Sequence, residues 1–75
     1  MIPRPRPSFL DECEKLGYVY GADRWRSWCG AYLYTWDSLH GEIEVFTSRG
    51  RHFGVAHAMT GVLVKPAVKG RRINV

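Results

Sequence analysis

Hydrophobic and polar residues alternate along the central part of the chain, with the period of two that is typical of half-buried β-strands. In the segment 41–47, Ile43 and Val45 fall on one face, and Glu42 and Glu44 fall on the other. Four segments that alternate, or are rich in aromatic and β-branched residues, predict strands: 31–36, 41–47, 52–56 and 62–65. Turns containing glycine at 48–51 and 58–61 connect them, and another turn is predicted at 21–23. Short consecutive strands with tight turns predict a twisted antiparallel sheet of about four strands.

The first sixteen residues have a different pattern. Residues 1–7 alternate proline with arginine, which predicts an extended arm. Ser8 and Asp11 have the spacing of a capping box, and Gly17 is suited to ending a helix. Four apolar residues fall on one face of a helix over 8–16: Phe9, Leu10, Cys13 and Leu16. The fold class predicted is therefore α+β, with this short helix packed on the sheet and residues 17–75 forming the sheet and a C-terminal tail.

The length of 75 residues allows one compact domain. Hydrophobic residues make up 45% and charged residues 24%, which is typical of a globular chain and excludes a disordered one. No apolar run approaches the roughly 20 residues that span a bilayer, so we expect no membrane association. The proline–arginine arm lacks the apolar segment of a signal peptide.

The chain is basic, with eleven Lys and Arg against seven Asp and Glu and a formal net charge of +4. This excess favours an anionic partner, for which nucleic acid is the usual candidate. The same charge can serve only to keep a protein soluble, and composition does not choose between the two.

Cysteine and histidine give little sign of a bound metal. Cys13 and Cys29 are too far apart for a CxxC pair, which leaves two reduced thiols or a single bridge. His40, His52 and His57 form no ligand pair at zinc-site spacing, either together or with the cysteines. We expect no metal and no other cofactor.

One cluster of residues has the groups that RNA cleavage needs. Asp37, His40, Glu42 and Glu44 lie within eight residues, and an extended backbone would place the last three on one face. One such group can remove the proton from a ribose 2′-OH, another can protonate the departing 5′ oxygen, and an arginine can hold the phosphate. A solvated strand face has the same composition, and aromatic residues at strand spacing stack on bases or simply pack in a core.

The segment from Tyr34 to Glu44 resembles the Y-x-W-D-S-x-H-G-E-x-E signature of the ribosome-inactivating nuclease colicins and cloacin. Residues 48–54 are similar to the S-x-G-x-H-x-G segment of that family, and residues 71–73 to its R-x-I tail. The likeness covers residues 25–73, but residues 56–58 replace the family's Phe-Asp-Pro.

The resemblance implies a toxin ribonuclease that cuts small-subunit (16S) ribosomal RNA in the decoding centre and stops translation. It implies an active site of Asp37, His40, Glu44 and Arg71. Glu44 would be the base, His40 the acid, Asp37 the group that orients His40, and Arg71 the phosphate ligand. Candidates for RNA contact are Tyr34, Trp36, Glu42, Arg49 and Arg72.

The implied partners are the small ribosomal subunit and an acidic antitoxin or immunity protein, which a basic active face would attract. The site of action would be the cytoplasm, and delivery from outside would require a larger toxin. The alternative is a non-catalytic RNA-binding module that uses the same basic and aromatic surface.

Overall fold

The computed structural model describes residues 1–75 and contains one antiparallel sheet of six strands in chain order. The strands are β1 (Glu14–Val19), β2 (Ala22–Arg26), β3 (Tyr32–Asp37), β4 (Glu42–Thr47), β5 (His52–Ala56) and β6 (Leu63–Pro66). The only helical element is a single 3₁₀ turn, Phe9–Glu12. No helix is long and apolar enough to cross a membrane. The sheet is a simple meander, because every strand pairs with the one that follows it.

The predicted α+β class is wrong, because the chain has no true helix and two more strands than expected. The N–H of Ser8 donates to the Asp11 carboxylate at 2.7 Å, so one turn forms where the capping pattern placed it. Cys13 is already extended, with φ −104° and ψ 165°. A helix over 8–16 would be too short to be stable alone, whereas strand β1 satisfies its backbone by pairing with β2.

The hairpin between β1 and β2 is the part of the sheet that the alternation did not predict. Val19 pairs with Ala22, which leaves a two-residue turn of Tyr20 and Gly21. Both turn residues have positive φ, 50° and 84°, as a type I′ hairpin turn requires. The four predicted strands correspond to β3–β6, with bounds shifted by at most one residue.

The two faces of the sheet are covered by opposite ends of the chain. The core face packs against the 3₁₀ turn, and its buried cluster is Leu10, Trp25, Tyr34, Ile43, Val45 and Ala56. The other face, here called the tail face, carries Glu44 and the buried side chains of Leu33, Phe46 and Val55. The C-terminal residues return across this second face.

The C-terminal tail is held on the sheet by backbone pairing. The N–H of His52 donates to the carbonyl of Arg71 at 2.9 Å, and the N–H of Ile73 donates to the carbonyl of Gly50 at 2.9 Å. Gly50 has a φ of 84°, and a Cβ there would overlap the Ile73 carbonyl oxygen, so only glycine allows so close an approach. Arg24 donates to the carbonyl of Asn74 at 2.6 Å. These bonds bring Arg71 back over β4.

The N-terminal arm lies against the turn between β3 and β4. The N–H of Ile2 donates to the carbonyl of Ser38 at 2.7 Å, and the indole N–H of Trp36 donates to the carbonyl of Ile2 at 2.9 Å. Further along the arm, Arg4 stacks over the Trp25 ring at 5.1 Å and pairs with Asp11 at 3.0 Å. The extended arm is thus fixed at both ends of its length.

Candidate active site

The turn after β3 brings Asp37 and His40 together. One Asp37 oxygen accepts the backbone N–H groups of Leu39 and His40, at 3.0 and 3.2 Å. The other oxygen lies 2.8 Å from Nδ1 of His40. A carboxylate that accepts N–H groups two and three residues further along the chain is held above the turn that those residues form. The imidazole is therefore oriented through Nδ1, and its Nε2 is left free on a side chain that is 58% exposed.

The same hydrogen bonds set the charge state of Asp37. Partial burial raises the pKa of this carboxyl, but the bonds from the His40 ring and from the N–H groups of His40 and Leu39 outweigh burial and hold the pKa below its usual value. Asp37 is accordingly an anion at neutral pH.

Glu44 projects from the middle of β4 onto the tail face, where both of its oxygens have donors. Nη1 of Arg71 lies 2.5 Å from Oε1, and Nε2 of His52 lies 3.3 Å from Oε2. Nδ1 of His52 accepts the N–H of Val68 at 2.8 Å. Since a backbone N–H can only donate, Nδ1 carries no proton, so the buried His52 ring is neutral and donates from Nε2 to Glu44. The His52–Glu44 contact is a hydrogen bond and not an ion pair.

A second ion pair borders the site. Nζ of Lys65, on β6, lies 2.8 Å from the Glu42 carboxylate. This hydrogen bond is the main cause of a raised pKa of Lys65, to which the nearby charges of Glu42, Asp37 and Glu44 add. Glu42 is thereby engaged by its own cation, separately from Glu44.

These side chains line one open depression of about 440 Å³ between the β3–β4 turn, β4, β6 and the tail. The four residues predicted as catalytic all line it: Asp37, His40, Glu44 and Arg71. Glu42 and Lys65 are also at its wall. No group of three or more His, Cys, Asp or Glu side chains is arranged to hold a metal ion, and Cys13 and Cys29 are both free thiols. The depression therefore combines an exposed imidazole, a carboxylate and a guanidinium.

Two of the predicted RNA-contact residues lie on the opposite side of the sheet. Tyr34 is only 6% exposed and packs edge-on against Phe9, with ring centroids 5.7 Å apart. Burial is the main cause that raises the pKa of Tyr34 to about 12. Trp36 also belongs to the core face, where it packs against the buried cluster and bonds to the arm. Tyr34 and Trp36 are structural in this arrangement, whereas Arg49 and Arg72 line a cavity on the tail side.

Sequence reasoning missed two residues of the site, His52 and Lys65. His52 is the histidine of the S-x-G-x-H-x-G segment, so the family resemblance is the signal that could have found it. Lys65 precedes Pro66 at the end of β6, and its contact with Glu42 joins residues 23 positions apart. Pairing across several strands, which no local pattern reveals, places both beside the site.

An exposed imidazole, carboxylates and a guanidinium thus line one depression of an all-β domain, and these are the groups that general acid–base cleavage of a phosphodiester uses. A family model described as Cytotoxic matches residues 11–74. The chain belongs to this family, the colicin/cloacin-type cytotoxic domains, and is a nuclease toxin domain. No curated protein matches it. The resemblance found in the sequence is thus confirmed.

Proposed function

We propose that this domain is an endoribonuclease that cleaves small-subunit ribosomal RNA in the decoding centre and so stops translation in the cytoplasm. The observation that carries the proposal is the meeting of the Asp37–His40 pair and the Glu44–Arg71 pair in one open depression. The choice of ribosomal RNA rests on the resemblance of residues 34–44 to the signature of the ribosome-inactivating nuclease colicins.

The proposed reaction needs only side chains of the depression. The Glu44 carboxylate takes the proton of a ribose 2′-OH, and the 2′ oxygen attacks the adjacent phosphorus. The bond from phosphorus to the 5′ oxygen breaks, and protonated His40 gives its Nε2 proton to that oxygen. The products are a 2′,3′-cyclic phosphate and a 5′-hydroxyl.

Asp37 and Arg71 stabilise the charges that this reaction develops. Asp37 is bonded to Nδ1 of His40, which supports the imidazolium and directs Nε2 outward. Arg71 uses Nη1 on Glu44, so its other N–H groups are available to the phosphate oxygens. Since no step requires an ion, we propose a metal-independent reaction.

The basic character of the domain also supports an acidic inhibitory partner, an antitoxin or immunity protein. A net charge of +4 attracts an acidic protein at long range. A partner that covers the depression would silence the nuclease in the cell that makes it.

The test is to incubate the domain with intact ribosomes in the presence of EDTA and to look for one discrete fragment of small-subunit RNA. His40→Ala should lower the cleavage rate by about 10²–10⁴, the usual contribution of general acid–base catalysis. His57→Ala is the matched control, because His57 is exposed in the β5–β6 turn and does not line the depression.

Two results would contradict the proposal. Cleavage that stops in EDTA while the ribosomes remain intact excludes a metal-independent reaction, and cleavage by a folded His40→Ala variant at the wild-type rate excludes the assigned acid. Salt-sensitive RNA binding without scission by the wild-type domain would favour the non-catalytic RNA-binding module.

A further inference from the structure

Beside the depression lies a basic groove that the proposed reaction does not use. A cavity of about 510 Å³ is bordered by Arg51, Lys69, Arg71 and Arg72, and a second of about 380 Å³ is bordered by Thr47, Ser48, Arg49, Arg51 and Arg72. The first shares Arg71 and Val68 with the catalytic depression, and the two basic cavities share Arg51 and Arg72. The three hollows are therefore neighbours along the tail.

The pairing of Arg51 with Arg72 is the unusual feature of this groove. They are partners in an antiparallel bridge, and the hydrogen bonds flanking the bridge run from His52 to Arg71 and from Ile73 to Gly50. This pattern makes Arg51 and Arg72 a non-hydrogen-bonded pair, the type in which side chains approach most closely. Like charges directly opposite one another are destabilising unless an anion lies between them.

No carboxylate of the protein neutralises this pair. None of the six close contacts between a basic side chain and a carboxylate includes Arg49, Arg51 or Arg72. No Asp or Glu lines either basic cavity. The hydroxyl groups of Thr47 and Ser48 add neutral donors at the wall.

We propose that Arg51 and Arg72 form a second phosphate subsite, which binds a backbone phosphate of the substrate RNA strand outside the scissile one. Arg49 and Lys69 extend it on either side, and the strand passes Arg71 on its way from the catalytic depression. This inference rests on the proposed function for the identity of the strand. A bound phosphate would relieve the repulsion between the two guanidinium groups, and a single RNA strand supplies phosphates at both sites.

The experiment measures binding of a single-stranded 2′-O-methyl RNA, which lacks the attacking hydroxyl and stays intact, over a range of salt concentrations. Each phosphate contact to a single strand contributes about 0.7 to the slope of log affinity against log salt. Because the pair binds one phosphate, the double variant Arg51→Gln/Arg72→Gln should lower that slope by about 0.7. The salt effect on affinity between 50 and 200 mM should then shrink about 2.6-fold.

Two controls separate the groove from general charge. Lys15→Gln removes an exposed cation on β1, at the other edge of the sheet, and should leave the slope within about 0.2 of the wild type. Arg51→Lys/Arg72→Lys keeps both charges and should restore most of the slope. With cleavable RNA, the Gln variant should show its loss in KM, as expected of a residue that binds ground state and transition state equally.

An unchanged slope in the folded double Gln variant overturns the subsite. If that variant instead loses affinity for poly-glutamate alone, the pair is a surface for an acidic protein and the proposal is wrong. If the wild-type domain cleaves ribosomes but the double Gln variant has an unaltered salt slope, the subsite is wrong and the proposed function stands. If the variant shows the change in slope but the wild-type domain never cuts RNA, the proposed function is wrong and the subsite stands.

Discussion

At the scale of single residues, the carboxylate of Glu44 is held by two donors that arrive from different elements. Arg71 comes from the tail and His52 from β5, and each bonds to one oxygen. The His52 ring cannot turn over without giving up the Val68 N–H, and its side chain is fully buried. A neutral, fixed donor of this kind orients the proposed base without adding a charge.

His52→Asn should lower kcat by roughly tenfold or more, because a hydrogen bond to a charged group is worth about 1.5–3 kcal/mol. The shorter amide can still accept the Val68 N–H but does not reach Glu44. KM should change little, since the His52 side chain is fully buried. Steady-state kinetics on ribosomes, with thermal unfolding measured alongside, checks this.

Two outcomes would contradict this role for His52. Equal kcat in the wild type and the variant would show that Glu44 needs no second donor. A rise in KM alone would mean that His52 supports the groove and not the base.

At the scale of elements, the hairpin of β3 and β4 carries three of the four proposed catalytic residues, and the N-terminal arm buttresses its turn. Ile2 bonds to Ser38 and receives the indole N–H of Trp36. Its side chain lies so close to Gly41 that an added Cβ there would sit 3.1 Å from it. The arm thus limits the movement of the turn that holds His40.

Trp36→Phe should increase hydrogen exchange at the amides of Leu39 and His40 and lower kcat, because it removes the donor to Ile2 while keeping an aromatic ring. Trp28→Phe is the matched control, since Trp28 donates in the same way to the carbonyl of Glu12 at 2.9 Å. Each loss should cost about 1 kcal/mol of stability. Only the first should affect exchange in the turn. If Trp36 instead stacked on RNA, Trp36→Phe would leave both exchange and kcat near the wild-type values.

The elements also show what the sequence can predict. Strands β3–β6 are joined by short turns, so alternation and glycine positions locate them within one residue. The prediction of a helix in the N-terminal segment was wrong, because Phe9, Leu10 and Cys13 fit a helical face as well as they fit an extended chain. The segment from Glu14 onward is a strand because it pairs with β2. Such pairing depends on residues outside the segment, so a local pattern does not reveal it.

The same distinction applies to the site. Asp37, His40 and Glu44 are close in sequence, so one short turn and the strand that follows it suffice to bring them together. Arg71 could be named only from the family resemblance, because its contact with Glu44 spans 27 positions. The Arg51–Arg72 bridge likewise depends on how the tail folds back. Contacts between residues far apart in the sequence are therefore the part of this site that local sequence patterns could not predict.

At the scale of the whole molecule, the main hydrophobic core and the candidate functional site lie on opposite faces of the sheet. The core face holds the main buried cluster, and the tail face holds the depression and the groove. Tyr34 tests this division because it was a candidate for RNA contact and lies in the core. Its ionisation reports on folding, since burial raises its pKa from 10.0 to about 12.

A group with a raised pKa in the folded state contributes stability that is complete below its unfolded pKa and is lost as the pH rises through the folded pKa. For Tyr34 this window runs from pH 10 to about 12. Tyr34→Phe should therefore flatten the decline of the free energy of unfolding across that window, as measured by urea denaturation. Tyr18→Phe, at an exposed position on β1, should leave the decline as it is in the wild type. RNA binding at neutral pH should be the same in all three proteins. A loss of affinity in Tyr34→Phe alone would return this residue to the RNA surface and contradict the separation of the two faces.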